Sequence, residues 1–341
     1  MGEVTGTGFT TFHDFTTTTN STGSFTNSDG SNPQGGLVLL DSTLYGTAAG
    51  GGSSGGGTVF KLSTDGTGFT TLHDFTTVIS NSFGVWTNTD GASPQSGLVL
   101  LGSTLYGTAA GGGSSGNGTV FALNIDGTGF TNLHSFTGSS DGAEPNAGLL
   151  LLGNTLYGAA VGSVFKLNSD GTGFTTLHSF TGQPSDGYRL HTSLVLLGNT
   201  LYGTTWDGGS SGNGQLFAVH TDGTAYTTLY DFTPTSAPYF TNSDGAYPYA
   251  GLVLSGTSLY GAARFGGGHW TSDRGGGIGG NGTLFGLLIP PELTSAATGP
   301  NLVLSWPTNF IGFTLQSTTN LGSPVWNTNL QIGRASCRER V

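Results

Sequence analysis

The tetrapeptide TLYG, or a one-residue variant of it, recurs with its tyrosine at Tyr45, Tyr106, Tyr157, Tyr202 and Tyr260. The same neighbours surround it each time. A repeat of this kind constrains the fold more than any composition does. Each copy has to be one supersecondary unit, and each must bury its apolar faces against the next. The second copy, residues 97–136, reads GLVLLGSTLYGTAAGGGSSGNGTVFALNIDGTGFTNLHSF. It contains four strand-like runs: A (98–101), B (104–108), C (119–123) and D (130–136). Gly102-Ser103 between A and B is a two-residue hairpin signal. Asp-Gly between C and D is tight-turn chemistry. A long Gly/Ser loop joins B to C. Strand A is a continuous apolar run, as expected for a strand covered on both faces. Strand D alternates, which predicts Phe130, Asn132, His134 and Phe136 on one face and Thr131, Leu133 and Ser135 on the other.

Strands A to C begin five times, at Leu37, Leu98, Leu149, Leu194 and Leu252, and strand D begins at Phe9, Phe69, Phe130, Phe174 and Tyr226. The register is circularly shifted. An orphan D segment (9–15) opens the chain, and an A–B–C set without D (252–288) closes the repeats. An all-β, five-bladed propeller of four-stranded blades is expected, with 9–15 completing the last blade by pairing near 283–288. Closure of that kind removes exposed edges. A β-solenoid fits less well, because it calls for capping ends rather than complementary ones.

Composition sets the remaining bounds. The 63 glycines follow no three-residue period, which excludes collagen. Net charge is −11 with only 8 Lys and Arg, so nucleic acid is excluded as a partner and anionic membrane surfaces are disfavoured. No apolar run is long enough for a transmembrane helix. No signal peptide is visible at the N-terminus. Residues 289–300 read as a Pro-marked linker. Residues 301–331, with Trp306 and Trp326, resemble the start of a small β-sandwich-like module. Residues 332–341, IGRASCRERV, break abruptly from the preceding composition and carry the single cysteine, Cys337. They read as a translated sequencing adapter rather than native sequence. With Cys337 set aside, no disulfide or thiol metal site is expected.

The unit GTVFKLNxDGTGFTTLHSF…DGAxPQxGLVLLGNTLYGT resembles the GloVer-type tandem repeat of bacterial "choice-of-anchor" proteins, over residues 3–288. The resemblance implies an exported protein that often carries a C-terminal surface anchor. It implies no established activity. The absence of a leader and an anchor from this sequence fits truncation.

Candidate motifs are weighed against plain structural roles. His13, His73, His134 and His178 occupy equivalent strand D positions, and Tyr230 replaces them in the fifth copy. Their separation over different blades favours packing over a metal site. The Asp-Gly pairs at Asp29, Asp90, Asp141, Asp186 and Asp244 lack the spacing of a calcium loop and read as turns. The glycine loops lack the Lys-Ser/Thr of a phosphate-binding loop, so no cofactor is expected. The non-repeated acids Glu144, Asp207, Asp273 and Glu292 form no recognisable catalytic pair, and no catalytic residue is assigned.

Strand parity supplies the functional expectation. A–B and C–D turns lie at one end of each sheet, and B–C and D–A loops lie at the other. The latter hold the length variation and the irregular aromatics Phe25, Phe83, Trp86, Tyr188, Trp206, Tyr239, Tyr247, Tyr249, Phe265 and Trp270. Insertions collecting on one face mark a binding face. Trp86, Tyr188, Trp206, Tyr247, Tyr249 and Trp270 are the candidate ligand contacts. The leading expectation is a monomeric extracellular or cell-surface binding and scaffold module that takes polysaccharide or a surface protein. A five-bladed glycan-active hydrolase or lyase and a purely structural surface repeat are the alternatives.

Overall fold

The computed structural model describes residues 8–21, 24–182, 186–237, 241–268 and 280–289, together with the backbone of five short strands beyond residue 293. Every regular element described is a β-strand. Four antiparallel sheets repeat the order A–B–C–D. In the second unit the strands are Val99–Leu101, Thr104–Ala109, Thr119–Asn124 and Thr131–Ser135, within a residue or two of the sequence reading. The fifth unit has A at Val253–Ser255, B at Ser258–Phe265 and C at Thr283–Leu288, with B pairing both neighbours.

The core lies between sheets. Tyr45, Val59 and Phe75 of the first unit pack on Leu98, Leu105 and Phe121 of the second. Tyr106, Val120 and Phe136 of the second pack on Leu149, Leu156 and Phe165 of the third. Tyr157, Val164 and Phe180 of the third pack on Leu194, Leu201 and Phe217 of the fourth. Within strand B, Leu therefore faces the preceding sheet and Tyr the following one. Within strand C, Val faces forward and Phe backward. A period of two with both faces apolar is what a sheet sandwiched between two others requires.

Strand D departs from the expected alternation. Every complete sheet shifts register between strands C and D. In the second unit Val120 pairs with His134 and Phe121 with Asn132, which leaves Leu133 as an extra residue. The same shift occurs at Val59/Phe60, Val164/Phe165 and Leu216/Phe217. A bulge places two successive side chains toward one side. Leu133 thus packs into the same inter-sheet core toward which His134 points, not on the opposite face.

The glycine of TLYG has a steric cause. A Cβ on Gly158 would lie 2.3 Å from the Phe165 ring, and one on Gly107 would lie 2.5 Å from the Phe121 ring. These are cross-strand partners, Gly158↔Phe165 and Gly107↔Phe121, so the aromatic ring lies over its bare backbone neighbour.

One apolar face stays uncovered, at the last unit. Leu284 is 89% exposed, whereas its repeat equivalents Val59, Val120 and Val164 are 0% exposed. At the first unit Leu37 is 55% exposed, but Phe60 and Leu62 are buried there, with Phe15 packed on them and His13 stacked on Phe69. Residues 9–15 form no strand, and the described partner of Thr283–Leu288 is Ser258–Phe265. The expected pairing of 9–15 with 283–288 is therefore not among the pairings of the described residues.

By contacts the chain divides into one unit of residues 1–252 and 262–284 and another of residues 253–261 and 285–341. In the second, Asn301–Ser305 pairs with Thr294–Thr298 and Ser336–Arg338, and Leu315–Ser317 pairs with Asn327–Asn329. No helix among the described residues is long and apolar enough to cross a membrane.

Candidate functional site

The loop end of each sheet is built on an aspartate. Asp90 accepts from His73 Nε2 at 3.1 Å, from the Thr76 backbone N–H at 2.9 Å and from the Thr76 hydroxyl. Asp29 has the same partners in His13 and Thr16, and Asp141 in His134 and Thr137. Asp186 accepts from His178 and the Thr181 N–H. Burial would raise the carboxyls of Asp29, Asp90 and Asp141, but the converging donors bring them below the usual carboxylate value. Each histidine also stacks on the first aromatic of the next strand D: His73 on Phe130 at 3.7 Å and His178 on Tyr226 at 3.5 Å. In the fifth copy the Tyr230 hydroxyl donates to Asp244 at 2.7 Å. The histidines and the Asp-Gly aspartates are thus one structural device. Among the described residues no three His, Cys, Asp or Glu side chains group together as a metal site would need.

On this frame three positions vary from copy to copy. In the D–A loop they are Asn32, Ser93, Glu144, Arg189 and Tyr247, and then Gln34, Gln95, Asn146, His191 and Tyr249. At the loop end of strand B the position holds Ala49, Ala110, Val161, Trp206 and Arg264. The backbone there is held from both sides. The Tyr247 N–H donates to the Asn213 carbonyl at 2.8 Å, and the Trp206 N–H donates to the Arg189 carbonyl at 2.6 Å. Asn32, Ser93, Glu144 and Tyr247 all sit at positive φ, from 47° to 57°. For a residue as bulky as tyrosine this conformation is an outlier that the surroundings must impose.

Between the first two units the small residues leave a crevice of about 560 Å³, lined by Phe25, Asn32, Ala49, Thr77, Val78 and Ser93 among others. At the fourth and fifth units the same positions carry large side chains that meet. Trp206 lies 5.0 Å from Tyr247, His191 lies 5.2 Å from Tyr249, and His191 lies 6.2 Å from Trp206. The Arg189 guanidinium sits 5.3 Å over the Trp206 ring and bonds Asp207 at 2.9 Å. The Arg264 guanidinium lies 5.0 Å over Phe265 and 6.0 Å over Tyr249. The Trp206 indole N–H is buried without a hydrogen-bond partner among the described residues. Burial, and then the Arg189 charge, push the His191 imidazole below its usual value, against the pull of Asp207 and Glu144.

Of the six candidate contacts, Trp206, Tyr247 and Tyr249 come together here. Tyr188 borders the group through its backbone, donating to the Asp207 carbonyl at 3.1 Å. Trp86 stands elsewhere, 60% exposed on a small hairpin formed by Ile79–Ser80 and Trp86–Thr87. Trp270 lies outside the described residues, as do Asp273 and Glu292. Arg189, His191 and Arg264 were not among the candidates. The five copies set column by column expose them, because none of the first three copies holds a cation or an aromatic residue at these positions.

The model of the Gloeobacter/Verrucomicrobia repeat matches residues 3–161 and, in a second overlapping match, 79–269. The chain belongs to this repeat family. The match spans the four complete sheets and the loops that build the aromatic group. A search of curated proteins returns no match. Among solved structures the repeat protein is similar to a chain of a nidogen/laminin complex, at 16% identity, covering 67% of this chain and 71% of that one with a TM-score of 0.42. It is also similar to the extracellular domain of a protein described as a hybrid two-component system from B. thetaiotaomicron, at 13% identity, 66% of this chain and a TM-score of 0.43. The chain spans only 25% of that protein's length. A gluconolactonase from Xanthomonas campestris aligns at 13% identity, over 66% of this chain and 67% of that one, with a TM-score of 0.37.

Proposed function

We propose that this repeat protein is a binding and scaffold module displayed outside the cell, and that it takes polysaccharide on the loop face of a five-bladed β-propeller. The observation that carries the reading is the meeting of Trp206, Tyr247, Tyr249 and His191 at positions where the first three copies hold no aromatic residue. The inter-sheet core recurs without these rings, so folding of the repeat does not call for them. Aromatic faces offer sugar rings a flat apolar surface, and Tyr and Trp add a polar handle. Tyr249, 53% exposed, is the open platform of the group. Display outside the cell follows the export implied by the family resemblance. Ring closure is supported by the bare face marked by Leu284 and by His13 and Phe15, which sit against the first sheet as strand D residues do in the other units.

The test is retention on immobilised polysaccharides, with melting followed in parallel. Tyr249→Ala should weaken retention at least several-fold and leave the melting temperature within a few degrees. Trp86→Ala should leave retention unchanged. Loss with Trp86→Ala and not with Tyr249→Ala would move the site to the hairpin. Failure of the parent chain to bind any glycan would remove the reading.

A further inference from the structure

We infer that the aromatic group selects acidic sugars, with Arg264 receiving the carboxylate of a uronate residue; the inference rests on the polysaccharide reading above. Only four cationic side chains, Lys61, Lys166, Arg189 and Arg264, belong to the described residues. Lys166 donates to the Thr221 carbonyl at 3.0 Å. Lys61 forms no ion pair among the described residues, but it lies half-buried toward the short-turn end of its strand, away from the loop face. Arg189 is paired with Asp207. Arg264 is exposed and has no carboxylate partner among the described residues. It is instead held over two rings, Phe265 and Tyr249.

The position does not require a cation for packing, because its repeat equivalents are Ala49, Ala110, Val161 and Trp206. A guanidinium presents a planar fork that fits a carboxylate with two parallel hydrogen bonds. A pyranose stacked on Tyr249 brings its substituents within reach of that fork. Stacking of the guanidinium on the rings also keeps it pre-oriented, which reduces the ordering cost of binding. The net charge of −11 does not oppose this at the site. At physiological salt, charges beyond about 8 Å are largely screened, so the local cation dominates.

The full chain is to be titrated with polygalacturonate, with its fully methyl-esterified form, with alginate and with neutral dextran. Esterification removes the charge and keeps the ring. The two polyuronates should bind at least ten-fold more tightly than the esterified polymer and dextran, and raised salt should narrow the gap. Arg264→Gln should abolish the preference without shifting the melt, and Arg264→Lys should restore part of it. Equal binding of charged and esterified polymer, or a preference that survives Arg264→Gln, overturns the uronate inference and leaves the polysaccharide reading standing. Binding to dextran alone does the same. Binding to none of the four overturns the uronate inference outright, and loss of Tyr249-dependent retention on every glycan removes the wider reading as well.

Discussion

At the scale of single residues, the loop face depends on a carboxylate with three donors. Asp90 is buried, and truncating it would strand the His73 and Thr76 donors. Asp90→Ala should cost about 2–3 kcal/mol, since hydrogen bonds to charged groups are the strong ones. In a chain of this size that lowers the thermal midpoint by roughly 3–5 °C. Tyr230→His should leave the midpoint within about 2 °C, because imidazole serves the same aspartate in four other copies. The pair also sets a pH dependence. Asp29, Asp90, Asp141 and Asp244 titrate below their ordinary value of 3.8 in the fold, after donors outweigh burial. Their contribution is full above that value and is lost as pH falls through the depressed one. His134 and His178 titrate below 6.5, chiefly through burial. Their neutral forms suit the fold, so stability is full above 6.5 and declines as the unfolded chain protonates first. In both cases the folded chain holds fewer protons than the unfolded one, and stability rises with pH. Thermal melts from pH 8 to 3 should show a fall beginning near 6.5 and steepening below 4. A midpoint that rises on acidification would contradict the linkage.

At the scale of the element, the sheet is tuned by a glycine and a bulge. Strand B would gain intrinsic β-propensity from alanine at Gly158. Yet the added Cβ would lie 2.3 Å from Phe165, in the middle of a packed inter-sheet core. Gly158→Ala should therefore destabilise, by about 1–3 kcal/mol as overpacking does. A second change, Phe165→Leu, should recover part of that loss by vacating the ring's place. If Gly158→Ala proved neutral in chemical denaturation, the close approach would not be the reason for the glycine. The strand D bulge acts in the same economy of space. It turns Leu133 toward the following sheet while His134 still reaches Asp141, so one strand end serves both core and loop face.

At the scale of the molecule, one interface recurs between successive sheets; residues 9–15 supply strand D side chains against the first sheet, and the outer face of the last sheet is left bare. His13 on Phe69 and Phe15 on Phe60 mark the first, and the 89% exposed Leu284 marks the second. Ring closure would join them, with a register set by the other units. Thr58 pairs with Asp74 and Lys61 with Thr70, so Thr283 should pair with Asp14 and Gly286 with Thr10. Thr10→Cys with Gly286→Cys, in a Cys337→Ser background, tests this. Paired residues on adjacent strands have Cβ atoms within about 5.5 Å, near enough to oxidise. A disulfide within the monomer is the expected product. A disulfide-linked dimer would mean head-to-tail association, and no disulfide would mean an open array.

The five copies, their four strands, their turns and the separation of short-turn and long-loop ends were all legible in the sequence. Each depends on local pattern, namely period-two alternation, Asp-Gly and Gly-Ser turns, and repeated order. The sequence also carried the variable aromatics and the odd residues Arg189, His191 and Arg264, once the copies are set side by side. The packing between units decided the rest. Only that packing shows that each histidine is bound to the aspartate of its own D–A loop while stacked on the next unit's aromatic, because those partners are distant along the chain and differ in spacing. The bulge at Leu133 was hidden because alternation assumes an even ladder, and one extra residue reverses it without changing composition. Trp206, Tyr247 and Tyr249 could be named as exposed-loop aromatics, but their meeting, and the separation of Trp86 from them, follow from which loops the inter-sheet cores bring side by side.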